Sequence, residues 1–161
     1  MDAHEIKTLG EKCLREKSAP VEEKCGRLCS LLDEMADAMR KSKGVGLAAP
    51  QVGINERIII FDSGEGLIEI INPEISVAEG AGSMVEGCLS VPGLEVEIER
   101  AEKVILKGLD RHFKPVKYSL EDLPARIVQH EIDHLDGILI VDYLSLIKRK
   151  VFEKKWKKNS G

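Results

Sequence analysis

Aromatic residues are scarce in this chain: Phe, Tyr and Trp make up 4% of its 161 residues. Its core must therefore be built mainly from Ile, Leu and Val. No apolar run approaches the roughly 20 residues that a membrane-spanning helix needs, so no membrane association is expected. No charged-then-apolar leader opens the sequence, and the expected location is cytoplasmic. An excess of positive charge is missing as well. The net charge of −4 argues against a specific DNA binder or a general nucleic-acid binder. There is no internal repeat, low-complexity tract or linker-like stretch. Only four cysteines occur, Cys13, Cys25, Cys29 and Cys88, and without a secretory signal they are expected to be reduced thiols. Cys25 and Cys29 fall one turn apart in a predicted helix, where a free cysteine acts as a small hydrophobe.

The remaining composition is that of an ordinary globular protein, 43% hydrophobic and 32% charged, and the length fits one domain over residues 1–161. Cys25, Leu28, Leu32, Met35 and Met39 recur at three- and four-residue spacing, which predicts a helix over residues 21–43, ended by Gly44. Strand-like runs follow at residues 57–62, 67–72, 94–99, 104–110 and 116–120. Leu94, Val96 and Ile98 alternate with Glu95, Glu97 and Glu99, the period of a half-buried strand whose acidic row faces solvent. Residues 121–136 then predict a helix that accepts Pro124 in its first turn and stops near Gly137. Leu123, Ile127, His130 and His134 share one of its faces. Residues 145–159 form a last, strongly basic helix in which Val151, Phe152 and Trp156 are apolar. Strands first and a late helix, without βαβ alternation, indicate an α+β fold.

Chemistry concentrates in Gln129-His130-Glu131-Ile132-Asp133-His134. Histidines four apart on a helix lie one turn from each other, so both imidazoles can reach one ion. Glu131 can face the open coordination position and take a proton from water there. The pattern H-E-x-x-H is short and recurs by chance, but here it falls on the expected buried face. Two histidines need a third ligand, and Cys88, His112, His4 and the carboxylates all suit a divalent ion. Cys88 stands in Glu86-Gly87-Cys88-Leu89-Ser90, where the glycine permits close approach of backbone to a ligand. Residues 44–51, GVGLAAPQ, are small and end in an amide. They read either as a turn between helix and strand or as a wall for an extended substrate, with Gln51 donating to a carbonyl oxygen that gains charge. The run lacks the G-x-G-x-x-G and G-K-[ST] patterns of nucleotide loops. Metal-assisted hydrolysis, as in a zinc peptidase or amidase, and simple metal binding are both compatible with these residues.

Together the three segments resemble the peptide deformylase family, whose motifs are G-φ-G-φ-A-A-x-Q, E-G-C-φ-S and Q-H-E-x-D-H. All three occur in order, and the likeness runs from Ile6 and Lys7 through Val141, Asp142 and Tyr143. The short gap between the first two motifs is similar to the bacterial-type class. The resemblance implies antiparallel strands packed around a central metal-binding helix, with helices at both ends. It implies Cys88, His130 and His134 as ligands of one divalent ion, Fe²⁺ natively, with Zn²⁺, Ni²⁺ or Co²⁺ able to substitute. Metal-bound water would be the nucleophile, Glu131 the general base and then acid, and Gln51 with the backbone N–H of Leu89 the oxyanion donors. The substrate would be the formyl-methionyl end of a new polypeptide, losing formate. Val45, Gly46 and Gly87 would pair with its backbone, and Val45, Met84, Leu123, Ile127 and the His130 ring would line the methionine pocket. Glu86 would pair with Arg100 behind the ligands, the alternative being a surface salt bridge.

Glu95 departs from the family, which often carries arginine or an aromatic there, near the bound peptide. An acidic group at that position either alters preference beyond methionine or simply faces water. The basic helix over residues 145–159 reads either as a solvated face or, through the resemblance, as a ribosome-docking element. A monomer is expected, with poorly ordered residues 1–5.

Overall fold

The computed structural model describes residues 5–23 and 26–160. Helix α1 (Gly26–Lys41) is followed by strands β1 (Gly46–Ala48), β2 (Ile58–Phe61), β3 (Ile68–Glu79), β4 (Gly82–Glu86), β5 (Val96–Arg100), β6 (Lys103–Leu109) and β7 (Pro115–Glu121). Helix α2 (Leu123–Leu135) and helix α3 (Leu146–Ser160) close the chain. Strands β1-β2-β3-β6-β7 form one antiparallel sheet in that order, and β4 and β5 pair as a separate antiparallel ribbon. This is the expected α+β arrangement with antiparallel sheets and a central helix.

The run Ile58-Ile59-Ile60-Phe61 explains how the layers stack. Successive strand residues point to opposite faces, yet all four are buried, so this strand is covered on both sides. Ile58 and Ile60 pack with Leu28, Leu32, Met35 and Met39 of α1. Ile59 and Phe61 pack with Ile70, Leu106 and the α2 residues Ala125, Ile127 and Val128. The sheet therefore lies between α1 and α2, and α2 has its second flank free for the ribbon. The face of α1 is as its spacing predicts, except that Cys25 lies outside the described residues, as do His4 and the first four residues.

Several boundaries differ from the sequence expectation, each for an identifiable reason. Val21 does not begin a helix, because its N–H donates to Asn72 Oδ1 at 2.8 Å and its carbonyl accepts from Asn72 Nδ2 at 2.9 Å. Strand β3 continues past Pro73 to Glu79, seven residues beyond the expected end at 72. Proline lacks a ladder donor and belongs at irregularities; the β3–β6 register shifts between Ile71 and Glu74, and Asn72 has φ of 54°. The segment from Glu86 to Ser90 leaves the sheet almost at once. Only Glu86 belongs to β4, and the chain then turns, with Val91 N–H donating to the Cys88 carbonyl at 3.1 Å. Leu94 lies in this turn region, so the alternating strand starts at Val96, with Val96, Ile98 and Arg100 buried. Glu121 closes β7 rather than opening α2, and the glycine-rich run contains β1 followed by a 3₁₀ turn at Ala49–Val52.

Helix α3 is tied back through polar contacts as well as Phe152 and Trp156. Trp156 Nε1 donates to the Leu9 carbonyl at 2.9 Å. Asp142, just before α3, accepts from Arg15 at 2.6 Å and pairs with Arg149 of α3 at 3.0 Å. Partial burial pushes the Asp142 carboxyl up, but its bonds to Arg15 and the Leu139 N–H outweigh that and hold its pKa below the ordinary 3.8. A depressed carboxylate contributes stability above its unfolded pKa and loses it as pH falls through the folded one. Asp142→Asn should therefore cost about 1–2 kcal/mol at neutral pH, with the difference closing below pH 3.8. Denaturant unfolding of both proteins at several pH values measures it.

Candidate metal centre and active site

Helix α2 brings His130 and His134 to one face, and the turn after β4 brings Cys88 to meet them. The three ligand atoms lie within 4.8 Å of one another. Cys88 Sγ is 3.3 Å from His134 Nε2. Two ligands at tetrahedral angle around one ion, with metal–sulfur and metal–nitrogen bonds of about 2.3 and 2.1 Å, are about 3.6 Å apart. The donor set and its spacing thus fit a divalent ion. Of the other ligands that the sequence offers, His112 belongs to the β6–β7 turn, where its N–H donates to Asp110 at 2.8 Å.

The tautomer of His130 is fixed by its partner. Nδ1 lies 3.0 Å from Glu86 Oε1. Glu86 is ionised: burial pushes its pKa up, but hydrogen bonds from His130 and Arg100 overcome this and bring it to about 2. An ionised carboxylate only accepts, so Nδ1 carries the proton and Nε2 is left for the ion. Burial pushes the His130 pKa down, yet its contacts with Cys88 and Glu86 raise it well above the ordinary value. An ion entering the site displaces that extra proton. His134 is pushed the other way, by burial and by the neighbouring His130 charge, which keeps it neutral and ready to ligate.

Behind His130 sits a buried charge cluster that joins three elements. Arg100 Nε and Nη2 donate to Glu86 at 2.7 and 2.9 Å, a bidentate pair, and Arg100 Nη1 donates to Asp133 at 2.9 Å. Arg126, one turn before His130 on α2, donates to Glu86 and to the carbonyls of Ile98 and Gly82. The expected Glu86–Arg100 pair is therefore buried and not a surface bridge. Arg126, Asp133 and Gln129 were not assigned roles from sequence. Gln129 bonds both the N–H and the carbonyl of Ala101, at 3.0 and 2.9 Å, fixing α2 to the β5–β6 turn. Three charged residues, Arg126, Glu131 and Asp133, on a helix with a buried apolar face were the available signal.

Glu131 is buried, and its Oε1 has no hydrogen-bond partner among the described residues. Burial pushes its pKa up to about 7. Gln51 is also buried, with its amide orientation set by a bond from Ala48 N–H to Oε1 at 3.0 Å. Its Nε2 therefore faces Ser90 Oγ at 3.1 Å and Cys88 Sγ at 3.9 Å. A cavity of about 450 Å³ opens in front of these groups. Its lining includes Val45, Gly46, Gln51, Met84, Gly87, Cys88, Leu89, Leu123, Ile127, His130 and Glu131. Every site residue expected from sequence is on this wall except His134, which lies behind it beside Cys88. Val45, Met84 and Leu123 form an exposed apolar rim. Glu95 borders a neighbouring groove with Gly87, Cys88, Gly93 and Leu94.

The sequence matches the polypeptide deformylase family model over residues 3–150. It is 51% identical over 142 residues to a peptide deformylase of Caldicellulosiruptor bescii, covering 88% of this chain and 86% of that protein. The fold is similar to the crystal structure of a peptide deformylase from Legionella pneumophila, with a TM-score of 0.92 and 42% identity, covering 99% of this chain and 96% of that one. It is also similar to a Met-Ala-Ser-bound class I type b peptide deformylase from Acinetobacter baumannii, with a TM-score of 0.85 and 38% identity over 88% of this chain and 99% of that one.

Gly46 allows the general-base candidate its place. A Cβ there would stand 2.6 Å from Glu131 Oε2 and 2.8 Å from Ile127 Cγ2. Gly46→Ala should displace the carboxylate and lower turnover about 100-fold, while overpacking costs about 1–3 kcal/mol of stability. Steady-state kinetics beside thermal unfolding separates the two effects.

Proposed function

This chain belongs to the peptide deformylase family, hydrolases that remove the formyl group from the N-terminal methionine of new polypeptides, and we propose that Glu131 carries the proton of that reaction. The family is metal-dependent, and Cys88, His130 and His134 would hold the ion. Fe²⁺ is the native ion in this reading, with Zn²⁺, Ni²⁺ or Co²⁺ able to replace it. A divalent ion there would act as a Lewis acid and lower the pKa of a bound water toward neutrality. The observation that carries the reading is the Glu131 oxygen that has no partner among the described residues, buried at the wall that Cys88, His130 and Gln51 share.

The roles of this chain's own groups follow from their positions. Glu131 accepts the proton of the attacking water and returns it to the methionine nitrogen as the C–N bond breaks, so formate and a free amine leave. Its burial supports a proton affinity near neutrality, the range in which one group serves as base and then acid. Gln51 Nε2 and the Leu89 N–H donate to the carbonyl oxygen as it gains negative charge. Val45, Gly46 and Gly87 pair with the extended peptide in the manner of an added strand. Val45, Met84, Leu123, Ile127 and the His130 ring receive the methionine side chain. The A. baumannii relative was crystallised bound to Met-Ala-Ser, and in this reading the cavity of this chain receives a peptide beginning with methionine. A formyl carbon carries only hydrogen, so a tight site rejects bulkier acyl groups by shape.

We further propose a cytoplasmic monomer whose helix α3 docks on the ribosome. Lys148, Lys150, Lys154, Lys155, Lys157 and Lys158 supply its charge, and Phe152 and Trp156 hold it to the body. A solvated face is the simpler role for such a helix, and truncation distinguishes them. Deleting residues 145–161 should abolish salt-sensitive ribosome cosedimentation and leave turnover of a short formyl peptide within about twofold; unchanged cosedimentation contradicts docking.

The main reading is tested by anaerobic formate release with Fe²⁺ from a formyl-Met peptide, beside its acetylated counterpart. Formate from the first and no acetate from the second is expected. Glu131→Gln should retain the metal and lose about 10²–10⁴-fold in kcat; near-normal turnover would remove Glu131 from its role.

A further inference from the structure

Tyr143 ends the 3₁₀ turn Ile140–Tyr143, eight residues beyond α2, and nothing in the reaction above uses it. It is 42% exposed, an ordinary position for a tyrosine whose hydroxyl faces water. Here the hydroxyl instead donates to Asp133 Oδ2 at 2.6 Å. The same carboxylate oxygen accepts from Arg100 Nη1 at 2.9 Å. The Tyr143 ring also covers the Arg100 guanidinium, 5.3 Å from its centroid, within cation–π range. Ring and hydroxyl thus act on one arginine, directly and through Asp133.

That arginine is the group that orients Glu86. A guanidinium is a rigid plane, and its bidentate pairing with a carboxylate holds only while the two planes stay aligned. Arg100 makes such a pair with Glu86 through Nε and Nη2, and the oxygen that accepts Nη2, Oε1, also lies 3.0 Å from His130 Nδ1. A second cavity, of about 370 Å³, reaches this cluster and is lined by Arg100, Gln129, Ile132, Asp133 and Tyr143. Helix α2 presents Ile127, His130 and Glu131 to the active cavity, so the second cavity meets a different side of the same helix. Arg100 is only 7% exposed despite lining it. Without the Tyr143 ring, water would reach the guanidinium and compete for its carboxylates.

We propose that Tyr143 is a positioning residue for the metal centre, holding Arg100 in the plane from which Glu86 fixes the ring of His130. The inference rests on the reading of Cys88, His130 and His134 as metal ligands. Partners one step behind a metal ligand are worth about 10–100-fold in metal affinity. Tyr143 stands further back, so its effect belongs at the lower end.

The test uses the full chain loaded with Co²⁺, whose visible absorption reports the ligand geometry directly. Co²⁺ affinity is measured by competition with a chelator, together with thermal midpoint, kcat and KM for a formyl-Met peptide. Tyr143→Ala should weaken Co²⁺ about tenfold, shift its visible bands and lower kcat more than it raises KM. Tyr143→Phe retains the ring over Arg100 and loses only the hydroxyl, so it should recover part of the loss, to about threefold. It also carries the test if the alanine variant is too unstable. Arg15→Ala breaks the neighbouring bond to Asp142 without touching Arg100, and should lower the thermal midpoint while leaving the Co²⁺ spectrum unchanged. Wild-type Co²⁺ affinity and spectrum in both Tyr143 variants would overturn the inference. Failure of the unmodified chain to take up Co²⁺ would instead defeat the ligand assignment on which it rests.

Discussion

Glu86 is where the strands, the helix and the candidate chemistry meet. It ends β4, accepts both forked donors of Arg100 from β5, and accepts Arg126 and His130 from α2. These bonds, with those from Arg126 to the carbonyls of Ile98 and Gly82, tie the β4–β5 ribbon to α2. Two arginines and two carboxylates, Glu86 and Asp133, leave the cluster electrically balanced. Burying Glu86, Arg100 and Arg126, with Asp133 half-buried beside them, gains little net stability over a packed apolar cluster, whereas removing one buried partner strands the rest at about 3–5 kcal/mol. Its value is directional. It sets the pitch of the ribbon against the helix, and with it the distance from Cys88, two residues after Glu86, to His130 and His134.

The same geometry separates two carboxylates by function. Glu86 and Glu131 both lie in the interior near His130, but Glu86 is saturated with cationic donors and remains ionised to about pH 2. Glu131 Oε1 has no partner among the described residues, and burial pushes its pKa up to about 7. One carboxylate is therefore tied up in structure, while the other is left without such ties, as the proton carrier proposed above requires. Gly46 completes the contrast, because only a residue without a side chain leaves Glu131 its space.

Much of this was legible in the sequence because it depends on local spacing. The face of α1, the alternation of Val96 and Ile98, the position of Pro124 and the i, i+4 histidines are all set by helix and strand periods. Three motifs in order then brought Cys88 and Gln51 to the same site as His130. What escaped depends on partners distant in the chain. Val21 fails to start a helix because of Asn72, 51 residues away. Strand β3 survives Pro73 because a register shift absorbs it. Arg126 and Asp133 resemble solvent-facing charges until the ribbon is folded over them, and Tyr143 meets Arg100 only once the chain has turned back after α2. Glu95 is exposed and lines a groove beside Cys88, together with Gly87, Gly93 and Leu94.

The central claim is that Glu86 and its arginines present His130, His134 and Cys88 to a single ion. Anomalous diffraction from crystals of the metal-loaded protein tests it most directly. The account predicts one peak per chain, bound by Cys88 Sγ and by Nε2 of both histidines, with His130 Nδ1 still bonded to Glu86. An ion held elsewhere, or one held without Cys88, would contradict it.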